Sequence, residues 1–247
     1  MCGPEVSVEA VVHRGRATVV AVTDKSVAAP PAFVETGHMV PAALAPVERD
    51  AVEGLAVAAL AALGLTHGVA HVEVMLTAAG PRVVEANPRQ AGGYIFDLVH
   101  LVTGTHPLDT LVDLALGRDP SPGTVARPRP TTASTPAAPA VPTVGSAAVA
   151  FVVSPAAGTV ERALGADALD DDPGVLRWVL PTPAAAPEPV DNDAYLGHVL
   201  AVDASPTGAR ARAAAAVAAL RLRLADGRTV APIAVPGDLC AAGPECR

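Results

Sequence analysis

The chain has 247 residues, 51% of them hydrophobic, and is therefore long enough to bury the cores of one or two domains. Aromatic residues make up only 2%, so valine, leucine and alanine must build those cores, and the formal charge of −8 disfavours nucleic acid as a partner. No apolar run reaches the roughly 20 residues of a membrane helix. Residues 1–5 lack the features of a signal peptide, so we expect a cytoplasmic protein without membrane contact.

The first sixty residues predict a hairpin, a loop and a helix. Residues 5–24 form two valine-rich strands whose alternation predicts one apolar and one polar face. Residues 28–46 are rich in proline and predict an irregular loop, which carries Glu35 and His38. Residues 50–63 place apolar side chains at helical spacing and predict an amphipathic helix.

A second predicted hairpin carries a pair of acids. Its strands, residues 70–76 and 82–87, flank a loop with Gly and Pro, and symmetric pairing sets Glu73 opposite Glu85. Directly opposed carboxylates stand roughly 5 Å apart and repel by about 3 kcal/mol at an effective dielectric constant of about 20. A cation is therefore expected between or beside them.

The residues that follow suggest which cation. Asn87 lies two residues beyond Glu85, on the same strand face, and completes an all-oxygen set that suits Mg²⁺ with phosphate oxygens. Arg89, two residues further on, carries a planar guanidinium suited to phosphate. A solvated strand face that merely carries acids fits the same spacing equally well.

The rest of the chain predicts two more helices and a second unit. Helices over residues 95–103 and 107–116 complete a first domain, 1–119. Residues 120–145 are rich in proline and alanine and predict a linker. A small α+β unit follows over 146–225, and a tail over 226–247. Within that unit the pattern predicts strands at 146–153, 160–163, 175–179 and 197–202, and a helix at 210–224.

Two residue types are unusual in number. Lys25 is the only lysine, which indicates a specific task as readily as chance. The three cysteines, Cys2, Cys240 and Cys246, lie near the two ends and match neither a disulfide framework nor the spacing of metal ligands.

Several motifs, in this order, resemble the C-terminal half of the ATP-grasp superfamily, and most closely its branch of amino-acid ligases, which join a carboxylate to an amine. The motifs lie at residues 3–9, 22–25, 33–38, 71–73 and 84–93. Residues 146–224, with Ser154-Pro155-Ala156-Ala157-Gly158-Thr159-Val160, resemble the small C-terminal subdomain of the same ligases. The resemblance implies a mixed α+β fold, an antiparallel sheet with helices, plus that subdomain.

The resemblance also implies roles for individual residues, and ATP and Mg²⁺ or Mn²⁺ as cofactors. The implied metal ligands are Glu73, Glu85 and Asn87. Glu5 would bind the ribose hydroxyls of the nucleotide and Lys25 a phosphate, whereas Glu35 and His38 would bind the substrate. The implied catalytic groups are Arg89, His38 and the backbone N–H of Gly92. Glu9 either supports the metal ligands from behind or is merely a polar residue of the strand face, and we favour the second interpretation. Gly93 stands where a bulkier residue could shape the substrate pocket.

The implied reaction transfers the γ-phosphoryl group of ATP to a substrate carboxylate, and an amine then attacks the acyl phosphate. Only four residues precede Glu5, whereas the family carries further ATP-binding parts before this region. We expect a partner or a longer chain to supply those parts. A homodimer is the other expected assembly. A non-catalytic remnant or interaction module is the alternative function. Half of a biotin-dependent carboxylase is disfavoured by the loop that carries Glu35 and His38.

Overall fold

The computed structural model describes residues 3–28, 32, 34–120 and 144–236. An antiparallel eight-stranded sheet forms its centre. In spatial order its strands are β5 (Gly80–Asn87), β4 (His67–Thr77), β1 (Glu5–His13), β2 (Arg16–Val27), β3 (Glu35–Val40), β6 (Ser146–Val153), β10 (Tyr195–Asp203) and β8 (Val175–Val179). A second sheet has the order β12 (Thr229–Val230), β11 (Arg221–Leu224), β7 (Gly158–Leu164) and β9 (Ala184–Ala186). The predicted α+β class with antiparallel sheets is confirmed.

Helices cover both faces of the large sheet. They are α1 (Pro46–Ala62), α2 (Ile95–Thr103), α3 (Pro107–Ala115) and α4 (Gly208–Ala219). Helix α1 packs on valines of β1 and β4, and α4 packs further along the same face, on β6 and β10. Helix α2 packs on the opposite face, against β3 and β6. No described helix is long and apolar enough to cross a membrane.

The predicted hairpins and the first three helices are confirmed, with small changes in their bounds. Strands β1 and β2 turn at Arg14 and Gly15, both with positive φ, which suits the tight turn of a twisted hairpin. Helix α1 begins four residues earlier than predicted, because Pro46 is favoured in the first turn of a helix. Gly64, at φ +71°, follows its end and makes the left-handed turn that a side chain would disfavour.

The loop predicted around Glu35 and His38 is wrong, because these residues lie in strand β3. Residues 35–40 pair with β2 on one side and with β6 on the other. The nearby prolines end at residue 31 and resume at Pro41, so the segment between them has every backbone N–H available for a ladder. Pairing with two neighbours decided the conformation, and local composition gave no sign of it.

The polar face of the first hairpin is buried rather than solvated. Strand β1 is flanked by β2 and β4, and Ser7 and Glu9 on its polar side are 0% and 7% exposed. The predicted polar face is therefore present, and the structure places it in the interior of the sheet.

The second predicted unit shares the main sheet with the first. Strand β6 pairs with β3 through residues such as Val149 and His38, so three of the unit's strands extend the large sheet. The helix predicted over 210–224 ends at Ala219, and residues 221–224 form strand β11, whose leucines are buried and whose arginines are exposed. The predicted linker lies outside the described residues except at its ends, as do the three cysteines.

Candidate active site

The register of the second hairpin brings the predicted acids together. Glu73 of β4 pairs directly with Glu85 of β5, as predicted, but a register shift between Glu73 and Val74 produces this pairing. A regular ladder from the turn would set Val84 opposite Glu73. The amide nitrogen Nδ2 of Asn87 donates to Oε1 of Glu85 at 2.6 Å, so these two side chains lie on the same side of β5. Glu85 is exposed and Asn87 is half-buried. The three proposed metal ligands therefore lie on two adjacent strands, within reach of solvent.

Lys25 is the cation that lies beside Glu73. Its Nζ is 2.6 Å from Oε1 of Glu73, 2.5 Å from Oε1 of Glu5 and 2.7 Å from Oε1 of Glu35. Each carboxylate offers an oxygen within 4.8 Å of the others, so one ammonium group faces three acids. A cation was expected beside the opposed carboxylates, and Lys25 of the chain itself supplies part of that positive charge. The predicted contact of Lys25 with a phosphate stays a prediction.

The acids around Lys25 differ in their pKa values. Burial raises the pKa of Glu73, but hydrogen bonds from His71 and Lys25 outweigh it and lower that pKa to about 2. Burial dominates at Glu5 and raises its pKa, in spite of the hydrogen bond from Lys25. The pKa of Lys25 lies above its usual range because the attraction of Glu35 and Glu5 exceeds the effect of burial. Glu73 therefore stays ionised at neutral pH, as a metal ligand must.

His38 lies buried behind the carboxylates. Its Nε2 is 3.7 Å from Oε2 of Glu35, and its ring meets the ring of Phe151 edge-on at 5.5 Å. Burial lowers the pKa of His38 to about 4, so the imidazole is neutral at neutral pH and able to accept a proton. Gly93, at φ +56°, leaves room for this ring, since a Cβ there would lie 2.6 Å from Nε2.

Two residues of the site were missed or misinterpreted from sequence. His71 places Nδ1 3.0 Å from Oε1 of Glu9 and Nε2 3.2 Å from Oε1 of Glu73. Burial lowers the pKa of His71, but hydrogen bonds to Glu73 and Glu9 outweigh this effect and raise the pKa to about 9. The interpretation of Glu9 as a polar residue of the strand face is wrong, because its carboxylate is a buried partner of His71. The alternation of Ser7 and Glu9 with valines was the signal available.

Asn192, from the second predicted unit, was also missed. Its Oδ1 accepts from the backbone N–H of Glu35 at 3.1 Å, and its Nδ2 donates to Oε2 of the same residue at 3.0 Å. These paired contacts orient the carboxylate of Glu35. No local pattern predicts a contact across 157 residues of sequence.

An open pocket of about 230 Å³ joins most of these groups. Six of the predicted site residues line it: Lys25, Glu35, His38, Glu73, Arg89 and Gly92. His71, Gly93 and Asn192 line it as well. Arg89 is exposed and donates from Nη1 to the backbone oxygen of Gln90 at 2.9 Å. Glu5 adjoins the pocket through Lys25, whereas Glu85 and Asn87 lie on the neighbouring strand outside its lining.

A larger cleft of about 480 Å³ lies beside α4, away from these residues. Its charged groups are Arg212 and the carboxylates of Asp172 and Asp203, which lie 2.5 and 3.2 Å from the guanidinium. The arginine is thus already paired within the chain. The smaller pocket holds the concentration of unlike ionisable groups that is typical of an active site.

Two parts of the chain match known protein families. Residues 1–97 match a family model described as an ATP-grasp domain, and residues 150–225 match one described as L-amino acid ligase C-terminal domain 2. Carnosine synthase 1 of Gallus gallus is 40% identical over 119 residues, and that of Homo sapiens is 35% identical over 119. The matched region is 48% of this chain but 13% and 14% of those relatives, so the chain spans only a small part of their length.

Solved structures show the same fold. L-amino acid ligase from Bacillus licheniformis superposes with a TM-score of 0.69 at 23% identity, over 89% of this chain and 54% of that one. Phosphoribosylglycinamide synthetase from Anaerococcus prevotii gives a TM-score of 0.70 at 13% identity, over 90% of this chain and 53% of that one. The two parts of the chain thus match an ATP-grasp domain and an L-amino acid ligase domain, in the order that the motifs predicted.

Proposed function

We propose that the chain is the catalytic part of an ATP-dependent carboxylate–amine ligase, which joins two small molecules of the amino-acid class. The observation that carries the proposal is the direct pairing of Glu73 with Glu85, beside an amide and next to a pocket with an arginine. The family matches support the reaction class.

The residues present fit a divalent metal ion. Glu5, Glu35 and Glu73 face the single charge of Lys25, so this cluster keeps an excess of negative charge when its carboxylates are ionised. Glu85 adds a further carboxylate directly opposite Glu73. Carboxylate and amide oxygens are the donors that Mg²⁺ and Mn²⁺ prefer. We therefore propose that Glu73, Glu85 and Asn87 hold Mg²⁺ or Mn²⁺, which when bound supplies charge neutralisation for the phosphates of ATP.

The other predicted residues divide between nucleotide and substrate. Glu5 would accept hydrogen bonds from the ribose hydroxyls, and Lys25 would contact a phosphate when it leaves one of its carboxylates. Arg89 is exposed at the pocket, where its guanidinium would stabilise the acyl phosphate and the oxyanion that follows, with the N–H of Gly92. Phosphoryl transfer requires mainly this positioning and charge compensation.

The amine is proposed to bind at Glu35 and His38. Glu35 is oriented by Lys25 and Asn192, and its carboxylate attracts an ammonium group. An amine must lose a proton before it attacks, and the neutral His38 places its Nε2 in the pocket, 3.7 Å from Oε2 of Glu35. His38 is thus the residue that would accept the proton.

A non-catalytic interaction module remains the second candidate. The observation that favours it is the set of short contacts from Lys25, which compensates much of the acidic cluster without any bound cation. A module of this kind would keep the fold and the ion pairs but would not respond to nucleotide.

Mg-ATP binding separates the two candidates. A ligand present at 100 times its Kd adds about 2.7 kcal/mol of stability, so we expect Mg-ATP to raise the melting temperature of the wild type. Glu85→Gln should abolish that rise and any amine-dependent release of phosphate, because it removes one proposed metal ligand. Differential scanning fluorimetry and a phosphate assay measure the two effects.

Glu161→Gln is the matched control, because Glu161 is also an exposed strand carboxylate but lies in the other sheet. It should behave like the wild type. An equal Mg-ATP response in Glu85→Gln would contradict the proposed metal site, and no response in the wild type would favour the module.

We further propose a cytoplasmic protein that acts as a homodimer or with a partner. Sedimentation velocity of the purified chain, alone and after co-purification, measures this assembly. A strictly monomeric chain with full activity would contradict it.

A further inference from the structure

A row of polar side chains crosses the buried centre of the sheet, next to the proposed metal ligand Glu73. Ser7 and Glu9 of β1 lie directly opposite Glu73 and His71 of β4. Ser7, Glu9 and His71 are at most 7% exposed, and the opposite face of the same strands is built from valines and alanines. Buried polar groups are unfavourable unless they are paired, so this row requires a reason.

Hydrogen bonds connect the whole row. The hydroxyl of Ser7 donates to Oε1 of Glu9 at 2.7 Å, and Nδ1 of His71 lies 3.0 and 3.1 Å from the two oxygens of Glu9. Nε2 of His71 lies 3.2 Å from Oε1 of Glu73. Both ring nitrogens therefore face carboxylate oxygens, and only a doubly protonated imidazole can donate to both.

The row acts on one oxygen of Glu73. Oε1 receives the contacts of both His71 and Lys25, whereas Oε2 has no hydrogen bond from any residue in the described ranges. A carboxylate held by two hydrogen-bond partners through one oxygen cannot rotate freely, and its second oxygen stays available as a single donor.

The geometry points to His71 as a positioning residue for the metal site. Braced by Glu9, it fixes the orientation of the Glu73 carboxylate and leaves Oε2 as the donor to a divalent cation. This inference rests on the proposed function, because Glu73 must be a ligand for the orientation to matter. Partners that orient metal ligands from behind contribute about 10–100-fold to metal affinity.

Binding of Mn²⁺ measures this role without reference to the unknown substrates. Mn²⁺ is added with one equivalent of ATP, and water-proton relaxation enhancement reports the protein-bound ion. We expect His71→Asn to raise the Mn²⁺ dissociation constant about tenfold or more. His71→Gln, whose longer side chain can place its amide nitrogen near the position of Nε2 and donate to Glu73, should restore part of the affinity. Glu9→Gln keeps the shape of the side chain and removes its charge, and should weaken binding several-fold.

His198→Asn is the control for the loss of a buried histidine. His198 is 5% exposed, against 4% for His71, and lies on β10 outside the pocket lining. It should leave the Mn²⁺ dissociation constant within twofold of the wild type, whatever its effect on stability.

Two outcomes would overturn the inference in different ways. If Glu85→Gln loses Mn²⁺ while His71→Asn and Glu9→Gln bind it as the wild type does, the proposed function stands and the role of His71 is wrong. If the wild type binds no Mn²⁺, the proposed metal site fails and the positioning role fails with it. Should His71→Asn not fold, Glu9→Gln decides the first case.

Discussion

At the scale of single residues, the site is a set of ionisable groups whose pKa values are shifted in opposite directions. His71 lies between the carboxylates of Glu9 and Glu73 and is held in its charged form, with a pKa of about 9. His38 is buried and held in its neutral form, with a pKa of about 4. Two histidines of one pocket are thus prepared for different tasks, and their environments alone distinguish them.

These two pKa shifts predict that the free energy of unfolding is largest at about pH 6.5, the ordinary pKa of histidine. The folded-state pKa of His71 is raised, so its contribution is complete below about pH 6.5 and is lost as the pH rises towards 9. The folded-state pKa of His38 is lowered, so stability is lost as the pH falls from about 6.5 towards 4. For His71 the shift corresponds to about 3 kcal/mol. Urea unfolding at a series of pH values measures the acidic limb of this profile, below about pH 6.5, and its alkaline limb, above about pH 6.5.

Each histidine provides the control for the other. His71→Asn should flatten the limb between pH 6.5 and 9 and keep the acidic limb. His38→Asn should do the reverse. An unchanged alkaline limb in His71→Asn would show that its contacts with Glu9 and Glu73 do not hold the proton.

At the scale of secondary-structure elements, a buried ion pair connects helix α4 to the centre of the sheet. Arg210, in the first turn of α4, contacts Asp24 of β2, and their side chains are 6% and 0% exposed. Asp24 points to the face opposite that of its neighbour Lys25. The strand that carries Lys25 is therefore anchored from behind by a helix of the second predicted unit.

Removal of one member of this pair should be strongly destabilising. Arg210→Met leaves the carboxylate of Asp24 buried without this arginine, which is expected to lower the free energy of unfolding by about 3–5 kcal/mol. The double variant Arg210→Met/Asp24→Asn should lose much less than the sum of the two single losses. Urea unfolding of all four proteins completes the cycle.

Arg212→Met is the matched control on the same helix. Arg212 also contacts aspartates, but its side chain is 33% exposed, so solvent compensates the loss and the effect should be much smaller. Additive losses from Arg210→Met and Asp24→Asn would argue against a direct coupling between α4 and β2.

At the scale of the whole molecule, the two predicted units form one structural framework. The β3–β6 pairing continues the sheet across them, and Asn192 of the second unit orients Glu35 of the first. The pocket is therefore lined by residues of both units. A single cooperative unfolding transition of the described framework follows from this shared sheet.

Trp178, the only tryptophan, reports on this cooperativity from strand β8 at the far edge of the sheet. Val8→Ala in β1 removes two methyl groups from a fully buried side chain of the other unit and should lower stability by about 2 kcal/mol, or roughly 6 °C. We expect the fluorescence midpoint of Trp178 to shift by the same amount as the circular dichroism midpoint.

Val47→Ala, at a position that is 74% exposed, should shift neither midpoint. A Trp178 transition that stays unchanged in Val8→Ala, while the circular dichroism signal becomes biphasic, would show that the two units unfold independently.

Local sequence determined the hairpins and the first three helices, because short loops and side-chain periodicity act over a few residues. The motifs also indicated the family. Only the tertiary structure decided that residues 35–40 form a central strand, that Glu9 and His71 are buried partners, and that Asn192 reaches Glu35. Each of these depends on which distant strands become neighbours, and burial and ion pairing are properties of that arrangement rather than of any local segment.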